Sequence, residues 1–70
     1  MKAILITYMC MNFNAADQCT DQQVYANGEW YGPDAAMLCE EELAASRRRL
    51  IRDGYERMFN LRCEITREAQ

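Results

Sequence analysis

From Ala3 to Cys10, apolar residues occupy both alternating sets of positions. Ala3, Leu5, Thr7 and Met9 form one set; Ile4, Ile6, Tyr8 and Cys10 form the other. A strand apolar on both faces predicts a central strand, or one whose outer face a partner covers. The stretch NFNAADQCTD reads as a polar connection. Asn27-Gly28 then sits between QQVYA and EWYG. Both central residues of a tight type I′ turn need positive φ, which Asn tolerates and Gly accepts freely, so the pattern predicts a hairpin there. In that register Tyr25 and Trp30 share one face, expected against the helix, and Val24 and Tyr31 share the other.

Gly32-Pro33 ends the strand, because proline cannot donate to a sheet. Asp34 is the expected N-cap of a helix running from about Ala35 to about Phe59, with Asn60 as its C-cap. Ala36, Cys39, Leu43, Leu50 and Gly54 make one apolar row; Ala44, Ile51, Tyr55 and Met58 make the next. Gly54 marks close packing or a break. LRCEIT alternates and predicts a last, half-exposed strand. The expected order is β-β-β-α-β: an α+β fold, with a small antiparallel sheet and one long helix on one face, in a single domain over residues 1–70.

Size changes this picture. At 70 residues a single core rarely supplies more than about 3–5 kcal/mol. Glu40 and Arg47 also interrupt the apolar stripe, so a second copy covering part of it, a homodimer, is expected. Four cysteines, Cys10, Cys19, Cys39 and Cys63, lack a close pair, and histidine is absent. No metal site and no cofactor are expected from that set. Three of the cysteines lie in apolar runs, which predicts reduced, buried thiols of a cytoplasmic protein. The opening MKAILITYMCM is too short to span a bilayer and is read as a strand.

Charge is uneven. Residues 1–42 carry seven acids against Lys2, giving −6; residues 43–70 carry seven Arg against four acids, giving +3. Consecutive Glu40, Glu41 and Glu42 fan around a helix and match its dipole, so no catalytic pair is read there. Cys39 near the helix start is the one candidate for an activated thiol. No catalytic base or phosphate-binding glycine loop is present, and no catalytic residue is assigned. The reading is a non-enzymatic protein-binding module. Its acidic half engages a basic surface through Asp17, Asp21, Glu29 and Glu41, with Tyr31 as an aromatic anchor. The alternative is nucleic-acid binding through Arg47, Arg48 and Arg52.

The aromatic strand, turn and helix start in EWYGPDAAMLCEEEL resemble the three-strands-then-helix layout of arm-type integrase and plant DNA-binding domains. That likeness covers about a third of the chain and implies a DNA-binding fold. In size, acidity and thiol content the chain also resembles small phage-encoded inhibitors of the anti-CRISPR type, a resemblance carried by no motif. It implies stoichiometric binding to a host protein or ribonucleoprotein complex in the host cytoplasm.

Overall fold

The computed structural model describes residues 1–67. Its elements are β1 (Lys2–Phe13), β2 (Cys19–Tyr31), α1 (Ala35–Asp53) and β3 (Phe59–Thr66). The three strands form one antiparallel sheet in the order β2-β1-β3, with the helix packed on one face. The class is α+β, and the chain order is β-β-α-β.

The central position of β1 follows from its two apolar faces. Ala3 and Leu5 point to the helix and are buried with Ala35, Cys39 and Leu61, while Trp30, Leu43, Leu50 and Cys63 close around them. Ile4, Ile6 and Tyr8 point the other way and are half-buried.

The hairpin turn is at 14–18, not at Asn27-Gly28. Asn14 accepts hydrogen bonds through its side-chain oxygen from the Ala16 and Gln18 amides, at 2.9 and 3.0 Å. Asp17 takes the positive φ of 60° that the turn requires. Asn27 and Gly28 lie inside β2, opposite Ile6 and Leu5. The reason is length. A turn at 27–28 divides this segment into two short strands, whereas a turn at 14–18 gives the twelve-residue β1 a partner along its whole course. Many paired backbone groups outweigh one local turn preference. Gly28 serves packing instead. A Cβ added there would lie 3.4 Å from the Trp30 ring, which therefore lies along the strand over the glycine.

Trp30 faces the helix side and is half-buried. The pairing of β2 with β1 slips between Thr7 and Tyr8, leaving Tyr25 as an extra residue. Tyr25 turns toward the helix side, where its ring meets Phe59 edge-on at 5.2 Å, but it remains 63% exposed. Val24 and Tyr31 belong to the outer face.

The helix stops at Asp53, short of Phe59. Gly54 adopts a left-handed φ of 79°, and the Gly54 and Tyr55 amides donate back to the Ile51 and Leu50 carbonyls at 3.2 and 2.8 Å. This is the usual glycine C-cap. Asn60 falls in β3 and caps nothing. Asp34 occupies the N-cap position, but its side chain makes no capping hydrogen bond.

The cysteines are paired, not reduced. Cys10–Cys19 ties β1 to β2, and Cys39–Cys63 ties the helix to β3. Register explains the pairs. Cys63 sits opposite Leu5 on the helix side of the sheet, directly under the helix position of Cys39. Cys10 and Cys19 flank the turn end of one hairpin. In each pair the Cα atoms lie 5.9 or 6.2 Å apart, within disulfide reach. Cys39 is completely buried in its bridge, so it carries no reactive thiol.

Candidate functional site

Among the described residues, no further strand pairs with either sheet edge, β2 or β3. β2 is the longer, at thirteen residues, and every residue from Cys19 to Asn27 is exposed. It contains Asp21 and Glu29 and no Lys or Arg. Four of the five expected partner-binding residues lie on β2 or on the turn that leads into it. Glu29 and Tyr31 are neighbours on the outer face. Asp21 is eight residues away, roughly 27 Å along an extended strand. Asp17 is at the turn tip, where its carboxylate meets the Arg57 guanidinium at 2.8 Å. Glu41 is exposed on the helix, in the other layer, and does not join the strand acids.

Glu29 organises one end of the edge. It accepts a 2.5 Å hydrogen bond from the Tyr31 hydroxyl and lies 3.9 Å from the Lys2 ammonium. Lys2 in turn sits 5.6 Å from the centre of the Tyr31 ring. Donation to Glu29 holds the Tyr31 hydroxyl above its usual value of 10.0, helped by loss of water and by the carboxylate charge and opposed by Lys2. The folded value exceeds the unfolded one. The contribution is therefore full below the unfolded value and is lost as pH rises through the folded one. Glu29→Gln is expected to bring the Tyr31 titration, followed by the NMR shift of its ring Cζ, back toward 10.0. A titration unchanged by that substitution would show that Glu29 is not the cause.

Beside β2, on the helix side, runs a shallow groove. One part, of about 330 Å³, is lined by Leu5, Thr7, Ala26, Gly28 and Trp30, with Glu42 and Ser46 on the helix wall. It continues toward Tyr25, Leu50 and Phe59. Its helix wall is already paired within itself. Arg49 donates to Glu42 and to Ser46, both at 3.0 Å.

Arg47, Arg48 and Arg52 are all exposed on the helix. Arg52 bonds its neighbour Asp53 at 3.2 Å, and Arg47 and Glu56 both line a cleft beside β3. The structure therefore does not gather the three guanidinium groups into a single unopposed patch. Glu40, expected to interrupt the buried stripe, is exposed.

Sequence reasoning missed Tyr25, Gln22 and Gln23 as edge residues, because it paired QQVYA with EWYG across a turn at Asn27-Gly28. Among the described residues, no cluster of three His, Cys, Asp or Glu side chains is placed to hold a metal ion. No helix among them is long and apolar enough to cross a membrane. Compared with protein-family models, curated proteins and solved structures, the chain matches none.

Proposed function

We propose that the chain is a non-enzymatic protein-binding module that engages a basic surface of its partner through the free edge of β2. The observation that carries this reading is the make-up of that edge: thirteen residues with two acids, no base, and exposed Tyr25 and Tyr31. Unpaired backbone groups along an edge strand take up an extended segment of another chain. Acids beside them select Lys- and Arg-rich partners and speed encounter. Tyrosine gives anchoring area at low entropic cost. Asp17, Asp21, Glu29 and Tyr31 are the contact residues; Glu41, in the other layer, is not.

A phage-encoded inhibitor of the anti-CRISPR type, covering the basic nucleic-acid groove of a host protein or ribonucleoprotein complex, is the specific form of this reading. It implies a host cytoplasm. Free thiols were the ground for a cytoplasmic location, and paired cysteines remove it, since disulfides persist chiefly in oxidising compartments. Binding is therefore to be measured with and without reductant.

The test is capture of a partner from host lysate, followed by direct binding of the purified pair. The partner's contact surface is expected to be basic. Asp21→Lys with Glu29→Lys should weaken binding at least tenfold, and Arg48→Glu should leave it intact. Binding to a generic duplex that falls steeply with salt and is lost on Arg48→Glu would replace this reading with nucleic-acid binding through Arg47, Arg48 and Arg52.

A further inference from the structure

The face of the sheet opposite the helix carries four rows of side chains across β2, β1 and β3. They are Tyr31, Lys2 and Thr66; Glu29, Ile4 and Glu64; Asn27, Ile6 and Arg62; and Val24, Tyr8 and Asn60. Beyond Lys2 the middle column is apolar, with Ile4, Ile6 and Tyr8, and among the described residues no element packs over it. Val24 and Tyr31 at its border are 57% and 67% exposed. The charges around this column are arranged asymmetrically. Glu29 and Glu64 flank Ile4, and Arg62 lies beside Ile6.

We infer that this face is the contact between two copies of the chain, packed sheet on sheet about a two-fold axis that runs across the strands between the Ile4 and Ile6 rows. Rotation about that axis reverses the rows and keeps the columns. Ile4 then meets Ile6 of the partner subunit, Glu64 meets Arg62 of the partner subunit, and Lys2 meets the ring of Tyr8 of the partner subunit. Glu29 faces the amide of Asn27 of the partner subunit. No like charges oppose each other. The other two-fold axis in this plane, parallel to the strands, exchanges the columns and sets Glu29 against Glu64, two carboxylates. The charge pattern therefore selects one of the two arrangements. Aligned sheets pack with a modest rotation, which this register accommodates.

Within one copy, Arg62 already contacts Glu64 and donates to the Tyr8 hydroxyl at 3.0 Å, with its guanidinium 5.5 Å from the ring centre. The groups that meet across the axis are thus held in place before association. The same axis puts both β2 edges on one side of the dimer, where Asp17 and Asp21 stay open to a partner while Glu29 and Tyr31 are taken into the contact between the copies.

Sedimentation of the oxidised chain from micromolar to millimolar concentration tests this. Wild type is expected to approach twice 8.2 kDa, and Ile6→Lys to stay at 8.2 kDa with its circular dichroism unchanged. Glu64→Arg, which sets Arg against Arg62 of the partner subunit, should raise the dimer dissociation constant about tenfold or more. Adding Arg62→Glu should restore it, because the swapped charges again oppose each other. A wild-type chain that stays at 8.2 kDa throughout overturns the inference and leaves the face to a different protein. So does a dimer that survives Ile6→Lys, or one that the double swap fails to restore. A monomer that still binds its partner through Asp21 and Glu29 would leave the proposed function standing.

Discussion

Serine at both Cys39 and Cys63 is expected to leave most of the chain unfolded at body temperature. The pair closes a segment with a sequence separation of 24 residues. Restricting the unfolded chain to that extent is worth about 3.5 kcal/mol in the chain-entropy description. A core of this size supplies only about 3–5 kcal/mol. Cys39 is also fully buried among Ala3, Leu5, Ala35 and Leu61, so two hydroxyls replace a well-packed bridge there. The Cys10–Cys19 pair, nine residues apart, is worth about 2.7 kcal/mol by the same reasoning. Its removal should leave a folded but weakened protein. Chemical denaturation of the two double variants checks the ranking. Thiol titration of the unfolded, unreduced wild type should count no free groups; a count of four would return the reduced cysteines that irregular spacing and apolar surroundings predict.

Leu5→Ala should cost about 3 kcal/mol, within the range for truncating a buried leucine. Leu5 is 6% exposed and lies at the centre of the sheet, between Gly28 on one side and Cys63 on the other. Neither neighbour has a side chain long enough to fill the space it would leave. Tyr31→Ala, at an exposed position of the outer face, should cost below about 1 kcal/mol at concentrations where the chain is monomeric. Equal losses in urea denaturation would mean that the two faces of β1 share the core more evenly than the burial of Ala3 and Leu5 implies.

Local signals were sound where nothing distant competed with them. Both faces of Ala3–Cys10 are apolar, and that segment is the central strand. Gly32-Pro33 ends a strand, and the alternation of LRCEIT appears as β3. Gly54 was recognised as a possible break, and its left-handed φ ends the helix. Asn27-Gly28 misled because its local preference for a turn met a longer-range demand, a full-length partner for β1. The glycine was then needed for the Trp30 ring. Cysteine pairing was illegible for a related reason. Spacing along the chain says nothing of which positions face each other across two layers, and Cys39 meets Cys63 only once the helix lies over the sheet. The acidic residues were grouped by the charge of one half of the chain, which says nothing of the layer each one occupies. With one long β2 they form a line, with Glu41 left on the other layer.

The two bridges are sequential and do not interlock: one encloses residues 10–19, the other 39–63. Backbone cleavage inside either loop therefore leaves the molecule in one covalent piece. Every Arg from Arg47 to Arg62 falls inside the second loop, and residues 3–46 contain no Lys or Arg at all. A single cut by a trypsin-like protease in the helix or the turn after it adds one water to the mass and releases nothing. The fragments part only on reduction. The one span whose cleavage separates the halves, residues 20–38, is most of the acidic edge strand and the start of the helix. It offers such a protease no site.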